Sequence, residues 1–146
     1  MPASPVTAAP FIPVKPLISL DSGGGNTVSF ECASESVEVS VEQDENTYET
    51  FCGTYTNYKP EQWTVTASVF QSYGATGLWT LVRPLVGPAR AFTFQPDFTL
   101  PVSVTNPKMS GTAIVKAFPF YSGSPGEPQA FDLVLAVQGT PTFAIA

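Results

Sequence analysis

The stretch Gln62–Phe70, QWTVTASVF, alternates without a break. Trp63, Val65, Ala67 and Val69 fall on one side and Thr64, Thr66 and Ser68 on the other. A side-chain period of two belongs to an extended chain with one wet and one dry face, so this segment is a half-buried strand. The same rhythm returns along most of the sequence. It is seen in Thr27–Cys32, in Ser36–Glu42 (SVEVSVE), in Ala91–Gln95 and Gly111–Phe118, and in Ala130–Val137, where Phe131, Leu133, Leu135 and Val137 align. Thr47–Thr56 reads as a further β-prone run, carrying Tyr48, Phe51 and Tyr55. Repeated alternation over such lengths predicts antiparallel strands, each with one face on a shared core.

One segment departs from the rhythm. In Ala75–Val86, ATGLWTLVRPLV, apolar residues Leu78, Leu81, Val82 and Leu85 recur at spacings of three and four, which predicts a short helix laid on a sheet. Gly87-Pro88 ends it. The fold class expected is therefore mainly β: a β-sandwich or barrel-like domain of two antiparallel sheets, with one short α-helix and an extended N-terminal arm. The arm is residues 1–26. Pro2, Pro5, Pro10, Pro13 and Pro16 exclude helix there, yet Val6, Phe11, Ile12, Val14, Leu17 and Ile18 are too apolar for a free tail. They lie either on a neighbouring subunit, as candidate inter-subunit contacts, or on their own domain. Asp21–Asn26, DSGGGN, is read as a joint, and residues 27–146 as one β domain of a size typical for a single core.

Charge narrows the function. Only 12% of the 146 residues are charged and the net charge is −6, against a usual charged share of roughly 25%. A surface so poor in charge is expected to be covered by partners. The six basic residues, Lys15, Lys59, Arg83, Arg90, Lys108 and Lys116, are scattered singly, which argues against a nucleic-acid grip. There is no histidine, hence no common general base or imidazole ligand. No nucleophile motif and no phosphate loop occurs. The carboxylates of Glu31–Glu49 have no spacing that specifies glycoside or calcium chemistry. No catalytic, metal or cofactor-binding residue is assigned, no cofactor is expected, and the chain is not expected to be an enzyme. Cys32 and Cys52 either form one disulfide or are two small buried thiols, and the lack of a basic secretion signal favours thiols. No apolar run is long enough for a membrane helix, and no membrane partner is expected.

The order of features resembles the tail tube (major tail) proteins of long-tailed, non-contractile bacteriophages. The resemblance runs from about residue 27 to 143. It rests on an apolar N-terminal arm, then SVEVSVEQDENTYETFCGTYTN, then EQWTVTASVFQSYGATGLWTLV, and last the pair MSGTAIVKAFPF and EPQAFDLVLAVQGTPTF. It implies a structural virion protein made in the host cytoplasm and resident in the tail. Six copies would form a ring, and rings would stack into a tube through arms and long loops. The lumen would pass tape-measure protein and phage DNA without holding them during genome ejection. Tail terminator and tip proteins would close the ends. The resemblance makes Glu38 and Glu42, on the face opposite Val37, Val39 and Val41, candidate lumen-facing acids. It also implies a long inter-ring loop after the first strand pair. Gln43–Asn46 is short for that role, and Thr54–Glu61 or Pro96–Lys108 are alternatives. Two other readings stay open: another virion β protein (capsid decoration or head–tail connector), and a secreted carbohydrate- or protein-binding module using Tyr48, Tyr55, Tyr58 and Trp63.

Overall fold

The computed structural model of the chain describes residues 16–23, 25–30 and 34–145. The strand expected at Gln62–Phe70 forms one place in from an edge of the main sheet, with Val65, Ala67 and Val69 fully buried. In chain order the strands are β1 Leu17–Gly23, β2 Asn26–Ser29, β3 Ser34–Glu42, β4 Glu45–Thr50, β5 Gly53–Tyr58, β6 Gln62–Phe70, β7 Ala89–Gln95, β8 Lys108–Val115 and β9 Ala130–Ala144. Seven of them form one antiparallel sheet in the order β2-β1-β7-β8-β9-β6-β3, and among the described residues β4 pairs only with β5. The fold class is the expected one: the described residues form two antiparallel sheets and one short helix.

Residues directly opposite in an antiparallel pair share a face, so the register sorts the side chains. Val65 faces Leu135, Ala67 faces Leu133, Val115 faces Leu135, Phe92 faces Gly111, and Leu20 faces Phe92. All lie on the inner face. Strands near both edges contribute to a single apolar cluster: Ile18 and Leu20 from β1, and Val37 and Val39 from β3. The sheet must curl for its two edges to reach one core. Leu78, Val82 and Leu85 close the core from outside the sheet.

The helix is shorter than the periodicity predicts. Helix α1 spans Leu78–Val82 and tightens into a 3₁₀ turn at Arg83–Leu85. Gly77 is its extended N-cap residue and Pro84 cannot donate to continue it. The start is enforced by packing, because a Cβ on Gly77 would lie 2.7 Å from the Ser72 carbonyl carbon and oxygen.

The boundary expected at residue 26 does not hold. Leu17–Gly23 is a strand of the main sheet, hydrogen-bonded to both β2 and β7. Ile18 and Leu20 are core residues of the chain's own domain. Ile18 is thus not an arm residue laid on a neighbour, while Leu17 is half-buried on the opposite face of β1. The remaining arm candidates Val6, Phe11, Ile12 and Val14 lie outside the described residues, as does Cys32.

The last strand runs past Val137 to Ala144 by way of an irregularity. Register passes from Thr112↔Gln138 to Ser110↔Thr142, so Gly139–Pro141 stands opposite Gly111. Gly139 has φ 73°, a left-handed conformation suited to glycine, and the bulge removes any need for a Pro141 amide. Gly111 lets Pro141 and Phe92 approach; its absent Cβ would sit 3.3 Å from the Phe92 ring.

Candidate functional site

Two surfaces stand out, one by what it lacks and one by its side chains. The first is the segment 43–61 between β3 and β6. Read in sequence as a short loop and a single strand, it is a hairpin. Register runs Glu45↔Tyr58 through Thr50↔Gly53, and Phe51-Cys52 is the two-residue turn. Gly53 has φ 137°, and the Thr50 hydroxyl both accepts from the Cys52 amide (3.2 Å) and donates to the Gly53 carbonyl (3.1 Å). The turn carries no Asn-Gly or Asp-Gly pair, the usual sign of a tight hairpin, which is why alternation alone read through it.

Every residue from Thr47 to Glu61 is exposed. The hairpin joins the body at its base, where the Lys59 amide donates to the Asp44 carbonyl (2.7 Å) and the Gln43 side chain to the Lys59 carbonyl (3.1 Å). Tyr48 and Tyr55 face each other across one side, Tyr58 lies on the other, and Phe51 at the tip is wholly exposed. A lone two-stranded hairpin is marginally stable in water, and aromatic groups left in solvent on such an element suit it to docking. Cys52 is a free, exposed thiol at the same tip. The expectation that it is buried fails because the turn, not a core strand, holds it. Of the loops considered for reaching a neighbour, neither Gln43–Asn46 nor Thr54–Glu61 acts alone; they are parts of one hairpin. The third, Pro96–Lys108, is tied inward: buried Asn106 accepts from the Asp97 amide (3.1 Å) and donates to the Asp97 carbonyl (2.7 Å).

The second surface is the outer face of the main sheet. Glu38 stands opposite Thr66, Ser40 opposite Thr64 and Glu42 opposite Gln62. The same face continues through Val134, Ala136 and Asp132 on β9 and through Thr112 and Ser110 on β8. Hydroxyls and small side chains dominate it, with Ile114 and Val134 among them, and Glu38 and Glu42 are exposed along the edge strand. Lys108 and Lys116 share it; the Lys116 amide donates to the Val134 carbonyl (3.0 Å), which makes Val134 its cross-strand neighbour. The structure therefore brings Glu38 and Glu42 together on one face, as expected, and separates them from the exposed hairpin aromatics. Trp63 belongs to neither surface. It packs on Phe143 at 5.6 Å, and its indole N–H donates to Glu61 at 3.1 Å. Among the described residues, no group of three or more His, Cys, Asp or Glu could hold a metal ion, and no helix is long and apolar enough to cross a membrane.

No protein-family model matches the chain, and no curated protein matches it. Solved structures do. A chain in the tail of an empty gene transfer agent particle, determined with C6 symmetry, superposes with a TM-score of 0.60 at 16% identity, covering 88% of this chain and 94% of that one. A chain in the virion of a native gene transfer agent particle gives a TM-score of 0.60 at 15% identity, covering 89% and 95%. Over nearly its whole length, this chain has the fold of a protein found in the tail of a gene transfer agent particle.

Proposed function

We propose that the chain is a structural subunit of a phage-like tail tube. Copies of it form rings, six to a ring, and the rings stack around a channel. The observation that carries this reading is the near-complete fold likeness to a chain of a C6-symmetric tail. The exposed hairpin supports it, because 43–61 has the length and the bare aromatic groups to reach a subunit of the next ring. The low charge of the surface supports it too, since subunits covered on several sides need few solvated ions.

The outer sheet face supplies a channel wall. Glu38 and Glu42 repeated around a ring would set a band of negative charge before the DNA phosphates. At physiological salt such a field acts within about 8 Å, enough to keep a passing duplex from settling on the hydroxyl-rich wall without obstructing it. Tape-measure protein would occupy the same channel first, and tail terminator and tip proteins would cap the tube. The chain performs no catalysis in this role; its work is to hold a geometry.

Electron microscopy of the purified protein across a concentration series tests the reading. Rings with sixfold averages, or tubes, are the expected result. Monomers at every concentration would refute it, and trimers or binding to capsid shells would point to a head-decorating protein instead.

A further inference from the structure

The body of the molecule has two unlike ends. Glu42, Gln62, Lys108 and Ala144 lie at one end of the sheet, where the hairpin leaves. Phe70, Ala89, Val115 and Ala130 lie at the other, and α1 with its 3₁₀ turn bridges β6 to β7 there. At this second end the aromatic rings gather. Trp79 meets Phe118 and Phe120 edge-on, with centroids 5.7 and 4.8 Å apart. Tyr73 lies 5.2 Å from Phe120, and Phe118 stacks on Phe131 at 5.3 Å. The Arg83 guanidinium sits 5.7 Å over the Trp79 ring.

The inner rings belong to the core, but the outer ones do not. Phe120 is 59% exposed and Tyr121 55%, with Tyr73 and Leu81 also in solvent. The platform is held in place without a partner. The Tyr73 hydroxyl donates to the Phe120 carbonyl and lies 2.9 Å from the Gln129 side-chain amide, and the Gln71 side-chain amide donates to the Pro119 and Phe120 carbonyls. A rigid aromatic surface with one arginine has the composition of an interface centre, and its order is already established before binding.

The hairpin at the opposite end is its complement. It offers Phe51 and tyrosines, and its acids Asp44, Glu45, Glu49 and Glu61 outnumber its one base, Lys59. We propose that the platform around Trp79 and Phe120 seats the hairpin of a second copy of this chain, Phe51 packing on the exposed rings and the hairpin acids facing Arg83. This rests on the assembly reading above and identifies the receiving surface. Because donor and receiver lie at opposite ends, the contact is head to tail and propagates without closing on itself.

Cross-linking tests it. In a Cys32→Ser chain, Cys52 is the sole thiol and takes a short photo-crosslinker; light and heavy isotopic chains are mixed before irradiation. The nine residues of β6 alone separate the two ends by about 30 Å, so a short crosslinker cannot join tip to platform within one molecule. Light-to-heavy products mapping to 71–83 or 116–122 are expected. Phe120→Ala is expected to raise the critical concentration for assembly about tenfold or more, and Arg83→Glu to weaken assembly until Glu49→Arg restores it. Assembly with crosslinks to another hairpin or to the outer sheet face, or assembly indifferent to both platform variants, overturns the seat and leaves the tail-tube reading standing. Sedimentation as monomers at all concentrations overturns both.

Discussion

Replacing Phe51 by alanine separates assembly from folding. The side chain is fully exposed at the tip of the β4–β5 hairpin, so the isolated subunit loses no packing. Substitutions at such sites usually change stability by no more than about 0.5 kcal/mol, which for a domain of this size moves the melting temperature by about 2 °C at most. In a tube where the tip is buried, the variant loses the burial of a phenylalanine side chain, roughly 1.5–3 kcal/mol. At tenfold per 1.4 kcal/mol, the critical concentration for polymerisation rises about 10- to 150-fold. The assay is paired: a thermal melt of dilute protein, and sedimentation of polymer against total concentration. A melting temperature lower by many degrees would mean that Phe51 packs within its own subunit. An unchanged critical concentration would mean that the tip touches nothing in the assembly. Either result refutes the reasoning.

Further outcomes follow from the same contacts. Gly77→Ala forces a Cβ to within 2.8 Å of backbone atoms of Ser72 and Gly74 and should cost about 1–3 kcal/mol in urea unfolding; a neutral variant would contradict the tight turn before α1. Asn106→Ala removes the partner of the Asp97 amide and of three carbonyls and should destabilise by about 1–3 kcal/mol, read by the same unfolding curve. Glu38→Lys with Glu42→Lys should leave the melting temperature unchanged, both residues being exposed. Tubes of this double variant should retain double-stranded DNA in a co-sedimentation assay, with retention lost as salt rises. Tubes that neither retain nor repel DNA differently would remove β3 from the channel wall.

Alternation determined much by itself. Which side of β6 and β9 is buried, the separation of Val37 and Val39 from Glu38, and the mainly β class with one helix were all legible, because a period of two is a property of neighbouring residues. The same local rule failed wherever the answer lay elsewhere in the chain. Prolines before Ile18 and Leu20 and glycines after them predict part of an arm, yet β7 pairs with that segment from more than seventy residues away. Thr47–Thr56 keeps its alternation through a turn with no turn signature, so the local rule predicts one strand where there are two. The cluster that unites Trp79, Phe120 and Tyr73 joins α1 to two loops that share no pattern. Tertiary structure alone decided the strand order, the bareness of the hairpin and its opposition to the aromatic end. Exposure and adjacency depend on where the chain returns, and no window of local sequence contains that information.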